Sequence, residues 1–462
     1  MARSSEIGAA ELLRRLDAGQ ISAQEYAQEI VRSCRELAEL NAVSFFDPDL
    51  LAEFARGADE KRSKGEGGRL CGLPLIVKDN INTTAYPTTG GTGALQNCTP
   101  ETNAGVISRL LGEDAIIGAK SGMHELAFGI TSNNAVTGAV RNPHDTSKIP
   151  GGSSGGTAAA VAAGMFPAGL GTDTGGSCRI PAALCGVVGF RPTHGRYAGD
   201  GIVPISHTRD TAGPLARCVE DISLLDGVLS GEEVKTAQVN PADMRLGVPA
   251  EVFFDNLEPE VEAGVQESLR ALEKAGATLV DVSFADIWSH NEAFSFPVVF
   301  YEVMRDLPAY LQKHAPHVTL GSLVEQIGSP DVAGAIGSQL GEDAMPQEAY
   351  RAAMDVHRPA MRKIYEDVFR TSGLAAIVFP TTPLRARDIG LDETVELNGA
   401  QVPTFPTYIR NTDLGSNLGV PGISLPCRSV AGLPVGIEFD GMAGADAGLL
   451  SLARAAEAVL SQ

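Results

Sequence analysis

The chain has 462 residues, 44% of them hydrophobic and 20% charged, with a mean hydropathy near zero, a composition that excludes a disordered or membrane-embedded chain. Its 36 basic and 57 acidic side chains leave a formal charge of −21, which opposes attachment to phosphate backbones or anionic lipid and removes nucleic acid from the expected partners. Seven cysteines, at 34, 71, 98, 178, 185, 218 and 427, form no CxxC pair and no cluster with the eight histidines, so buried reduced thiols are expected, without a disulfide framework or a metal site.

From Ser5 to about Arg62 apolar residues recur at spacings of three and four, among them Leu12, Leu13 and Leu16, then Tyr26, Ile30 and Val31, then Leu50, Leu51 and Phe54; three opening helices are predicted. The first twenty residues hold no apolar stretch of signal-peptide length, and no apolar run reaches spanning length, so a cytoplasmic location is expected. Leu73–Val77 and Ala115–Ala119 are apolar runs of strand length, each followed by a lysine, Lys78 and Lys120. Further strands are predicted at 245–248, 278–284, 375–379, 423–426 and 433–439, and helices at 106–111, 218–229, 258–275, 347–370 and 444–460. This alternation predicts an α/β fold, one domain on a large mixed, mostly parallel β-sheet covered by helices on both faces. Within it, 1–64 are N-terminal helices packed on the core, 65–230 the core itself, 231–370 a variable helical region, and 371–462 a return to the same sheet. Residues from about 285 to 345 depart from the alternation and hold the only Trp with Phe294, Phe296, Phe300, Tyr301 and Tyr310. They read as a helical and irregular insertion over the sheet, available as a pocket wall or as plain core packing.

Two glycine-rich runs are the densest anomaly: Pro150-Gly-Gly-Ser-Ser-Gly-Gly156 and Gly169-Leu-Gly-Thr-Asp-Thr-Gly-Gly-Ser177. Glycine at this density implies close backbone approach or positive φ. A flexible linker does not fit, because residues 157–172 between and within the runs are small and apolar without a charge; a tightly packed helix does. Gly152-Ser-Ser154-Gly-Gly156 also satisfies G-x-S-x-G, which would make Ser154 a nucleophile, but that motif requires a strand before it and Asn142–Pro150 is turn-like. Thr174, Gly175, Gly176 and Ser177 offer consecutive backbone N–H groups able to converge on one oxygen, the requirement of an oxyanion hole. Asp173 and Arg179 flank this turn and read as an ion pair bracing it.

The stretch from Gly151 to Pro192 resembles the signature of the amidase signature family almost throughout. Leu75-Ile-Val-Lys78-Asp-Asn80, Asp210-Thr-Ala-Gly-Pro214, Pro421–Pro426 and Gly432–Ile437 extend the resemblance over roughly residues 65–462. It implies a single amidase-signature domain and a Ser-Ser-Lys triad carried onto Lys78, Ser153 and Ser177, with a cis peptide bond at Gly152–Ser153, and no cofactor. The physical logic runs beside it. A serine needs a base, a lysine is a base only when neutral, and burial disfavours its charged form. Lys78 would then act through Ser153 on Ser177, with Ser154 a structural hydroxyl and Lys120 structural.

Segments around Met123–Phe128, Ile205–Asp210 and Ile409–Asn417 are similar to those of bacterial indoleacetamide and other aryl-amide hydrolases, which implies a small primary amide, aromatic ones included, as substrate. Met123, Phe128, Ser154, Phe300 and Tyr301 are the candidate substrate-binding residues. A ureido substrate such as allophanate or carboxybiuret stays open. A glutamine-hydrolysing amidotransferase subunit is disfavoured, since Pro346–Met354 stands where that subunit carries an arginine-rich segment. A silent scaffold is disfavoured by the presence of all three triad residues. Family analogy adds a possible homodimer.

Overall fold

The computed structural model describes residues 7–232, 237–249, 251–284, 286–342, 344–428 and 432–461. Ser5, where the N-terminal helical pattern was expected to begin, lies outside them.

An eleven-stranded sheet carries the fold. In chain order its strands are β1 (Val43–Phe45), β2 (Pro74–Lys78), β3 (Ile116–Ser121), β4 (Ala168–Asp173), β5 (Val188–Arg191), β6 (Thr211–Ala216), β7 (Arg245–Pro249), β8 (Thr278–Val282), β9 (Ala376–Pro380), β10 (Gly422–Pro426) and β11 (Gly436–Asp440). Across the sheet they lie in the order β1-β3-β2-β4-β6-β5-β10-β11-β9-β7-β8, so all four expected segments contribute strands to one sheet. The sheet is mixed, as expected, but a parallel majority is absent. Parallel pairing joins β2 to β3 and β4, and β7 to β8 and β9, whereas every other neighbouring pair is antiparallel. The physical reason lies in the centre, where β5, β6, β10 and β11 return beside one another without the helical crossover that parallel strands need.

The three N-terminal helices form at Ala9–Asp17, Ala23–Glu36 and Pro48–Lys64, the second opened by a capping box between Ser22 and Glu25. Ile287–His314 is one 28-residue helix with Pro297 and Pro308 inside it, more regular than the sequence suggested. Among the described residues no helix is long and apolar enough to cross a membrane.

What positions the site is the contact between β4 and the helix Gly155–Ala162. That helix reads GGTAAAVA and is buried along its length except at Ala162. Its small side chains let it lie flush on β4. A Cβ on Gly169 would come within 2.6 Å of Thr157 Cγ2, and one on Gly171 within 2.7 Å of Ser154 Oγ. The glycines of the second run are thus close-approach positions, and the approach brings Ser153 and Ser154 against the end of β4. Because β2 runs parallel to β4, with Val77 level with Leu170, Lys78 emerges at that same carboxyl edge. Side chains at that edge converge, as in other sheets with parallel strands.

Candidate active site

Lys78 is wholly buried, and its Nζ donates to Ser153 Oγ at 2.7 Å and to Thr172 Oγ1 at 2.8 Å. Thr172 Oγ1 also accepts from Asn80 Nδ2 at 3.0 Å. Among the described residues no carboxylate forms an ion pair with Lys78. Burial therefore acts on the amine almost unopposed and pushes it down to about 7. Lys120 is the control within the same sheet. It is equally buried and also lowered by burial, but Asp79 at 3.2 Å opposes the shift, and the carbonyls of Ile81 and Pro87 and the Thr88 hydroxyl absorb its N–H groups. One buried lysine is paired as a cation; the other faces two hydroxyls.

Ser153 follows a cis peptide bond, Gly152–Ser153, and its carbonyl accepts the His124 N–H at 3.2 Å. Ser154 Oγ is spent on β4, donating to Thr172 O at 3.1 Å and accepting from Thr172 N at 3.3 Å. Ser177 ends the turn that follows β4 and is 7% exposed where Lys78 and Ser153 are 0%, so of the three it is the one open to the cavity beside it.

The turn itself is built on Asp173. Its carboxylate accepts the Gly176 N–H at 2.9 Å and the Cys178 N–H at 3.1 Å, and takes guanidinium bonds from Arg179 at 3.0 and 3.1 Å and Arg191 at 3.0 Å. Burial alone would raise this carboxyl, but the two guanidiniums outweigh it and hold it well below the usual carboxylate range. The expected Asp173–Arg179 pair is therefore part of a larger buried cluster that includes Arg191 and Glu438. One expected donor is already engaged: the Gly176 N–H points at Asp173, which leaves those of Thr174, Gly175 and Ser177 for an oxygen at the site. Gly176 has φ +135°, in the range that favours glycine.

Ser177 lines a cavity of about 610 Å³. Of the residues expected to bind substrate, Phe128 and Phe300 line it. Met123 does not; it is buried behind the lining residues Ala127 and Ile205, against which it packs. Tyr301 faces away and stacks on Tyr350 with centroids 4.3 Å apart, and Ser154 sits on β4. Tyr301 is displaced because a helix turns 100° per residue and the neighbour of Phe300 faces elsewhere, whereas Met123 sits in the non-helical segment after β3 and Ser154 is spent on β4. Missing from the sequence expectation are Asn291, Ser295 and Val299, which form one stripe of the helix Ile287–His314 with Phe300 and with Trp288 and Phe296, two aromatics the sequence had offered as pocket wall or core packing. Their spacing of three and four was the signal that would have found them. Phe405 and Ile409 also line the cavity, as does Arg209, which is bonded to Asp413 at 2.6 Å and so neutralised.

A sequence model of the amidase family matches residues 26–450. The chain belongs to the amidase family. As an amidase it is a hydrolase of amide C–N bonds. It is 42% identical over 449 residues to an indoleacetamide hydrolase of Rhizobium radiobacter, covering 97% of this chain and 96% of that one. A mandelamide hydrolase of Pseudomonas putida is 41% identical, over 96% of this chain and 89% of its own. Among solved structures, an amidase superposes with a TM-score of 0.87 at 34% identity, covering 98% of this chain and 100% of that one.

Proposed function

We propose that this amidase hydrolyses a primary amide of a small aryl-substituted carboxylic acid to the carboxylate and ammonia, through an acyl-enzyme on Ser177. The observation that carries the chemistry is Lys78: a buried amine near neutrality, bonded to Ser153 and unpaired with any carboxylate among the described residues. In its neutral form Lys78 takes a proton from Ser153 Oγ as Ser153 takes one from Ser177 Oγ, and Ser177 attacks the amide carbon. The developing oxyanion is met by the N–H groups of Thr174, Gly175 and Ser177. The proton returns through Ser153 to the departing nitrogen, which leaves as ammonia. Water activated by the same pair then splits the ester and frees Ser177.

The aryl preference rests on the cavity. Phe128, Trp288, Phe296, Phe300 and Phe405 present aromatic surface beside Ser177. The similar proteins named for indoleacetamide and mandelamide agree with an aromatic ring near the scissile amide. The test is ammonia release from indoleacetamide, phenylacetamide, mandelamide, glutamine and allophanate by wild type and Ser177→Ala. Turnover of the aryl amides alone, lost in the variant, is expected; preference for glutamine or allophanate would contradict the substrate class.

A further inference from the structure

One half-buried carboxylate beside the reacting turn has no part in the steps above. Asp210 directly precedes β6, and Asp173 on β4 pairs with Thr211, so Asp210 stands across from Thr174. One carboxylate oxygen accepts the Thr174 hydroxyl at 2.6 Å, and the other accepts the N–H groups of Ile205 at 2.8 Å and Ser206 at 2.9 Å. No cation among the described residues forms an ion pair with it; the adjacent Arg209 is committed to Asp413 and to the Thr174 carbonyl. Behind this loop the Ser206 hydroxyl donates to Glu302 at 2.5 Å, on the helix that forms the cavity wall. Glu302 also accepts from the Thr208 N–H and hydroxyl and the Tyr350 hydroxyl.

A half-buried carboxylate without a guanidinium carries part of the cost of burying a charge, and here it is held only by hydrogen bonds. What it provides is orientation. The carbonyls of Asp173, Thr174 and Gly175 are each held by a donor, Arg191 at 2.6 Å, Arg209 at 3.2 Å and the Thr412 hydroxyl at 2.6 Å. A trans peptide sends its N–H opposite its carbonyl, so these bonds aim the N–H groups of Thr174 and Gly175 away from those partners. Thr174 carries the only side chain between Asp173 and Ser177, and Asp210 is what fastens it.

We infer that Asp210 is a positioning residue for the reaction at Ser177: it fixes Thr174, and so the peptide planes whose N–H groups meet the oxyanion, and through Ser206 and Glu302 it ties that turn to the wall that receives the acyl group. This rests on the acyl-enzyme chemistry proposed for Ser177. Misplacing oriented donors by a fraction of an ångström raises the barrier without weakening ground-state binding, with losses of about tenfold to a hundredfold.

The test compares Asp210→Asn, Thr174→Val, Thr174→Ser and the Asp210→Asn/Thr174→Val double variant on an aryl acetamide. A drop in kcat of about tenfold to a hundredfold with KM within about threefold is expected for Asp210→Asn and Thr174→Val, with recovery in Thr174→Ser. The double variant should be no slower than the worse single one, because both remove one contact. An arylmethyl trifluoromethyl ketone, which forms a tetrahedral adduct, should lose affinity in step with kcat, while the product carboxylate binds as in wild type. Additive losses, or equal losses of ketone and carboxylate affinity, would overturn the assignment. Should Asp210→Asn fail to fold, the Thr174 pair carries the same comparison. Ser177→Ala separates the two levels: activity surviving there refutes the nucleophile and with it this inference, whereas a dead Ser177→Ala beside an Asp210→Asn of wild-type kcat refutes the positioning role alone.

Discussion

Replacing Lys78 with methionine is expected to stabilise the protein while ending turnover. Burial takes this amine from 10.5 to about 7. At pH 7 that fall is worth about 4 kcal/mol of folding free energy, lost because the unfolded chain keeps a solvated ammonium that the folded chain can barely hold. Methionine fills nearly the same volume without a charge but forfeits the bonds to Ser153 and Thr172, about 1 kcal/mol each, so a net gain of about 2 kcal/mol remains. The dependence on pH identifies the cause. Below pH 7 folded and unfolded wild type both carry the proton, and the deficit is complete. Between 7 and 10.5 the unfolded state binds one proton more than the folded state, so wild-type stability rises by about 1.4 kcal/mol per pH unit relative to the variant, which has nothing to titrate there. Urea unfolding of both proteins at pH 7, 8.5 and 10 should show the variant ahead at pH 7 and behind at pH 10. A gap that does not change with pH, or a variant less stable at pH 7, would refute the reasoning.

Arg179→Gln leaves Asp173 and Glu438 buried without their shared guanidinium and should cost about 3–5 kcal/mol, read as a lower urea midpoint; an unchanged midpoint would show that the cluster bears no such load. Gly176→Ala should cut kcat by at least about a hundredfold, since its Cβ would meet Thr412 Oγ1 at 2.2 Å in a backbone conformation at φ +135°. Gly175→Ala meets the Cδ1 end of Ile409 at 2.6 Å and Arg209 Nη2 at an ordinary 3.4 Å, and should lose less than about tenfold. Equal losses at the two glycines would contradict this picture of the turn.

The sequence carried the local half of the structure well. Leu75-Ile-Val reads as a strand because it lies between parallel neighbours in a sheet covered on both faces, and Ala158-Ala-Ala reads as a helix pressed on something because nothing larger would fit. β4, β5 and β6 were harder to see. Ala168–Asp173 and Thr211–Ala216 contain glycine, proline and threonine where strand propensity asks for bulk, and only their close contacts with neighbouring backbone explain the choice. Lys78, Ser153 and Ser177 were named from motif and spacing. The pocket was half legible: Phe128 and Phe300 are large and conspicuous, whereas Asn291 and Ser295 have no meaning until the helix is phased against the sheet. Asp210 was quoted only as part of a motif, because its role depends on β6 lying antiparallel to β4, a pairing no local pattern announces.

The central claim, that an acyl group passes through Ser177, is tested most directly by acid-quenching the enzyme during turnover of an aryl acetamide and mapping the acylated peptide by mass spectrometry. An adduct of the acyl mass on Ser177, absent from Ser177→Ala, is the predicted result. An adduct on Ser153 or Ser154, or one that persists in Ser177→Ala, would contradict it.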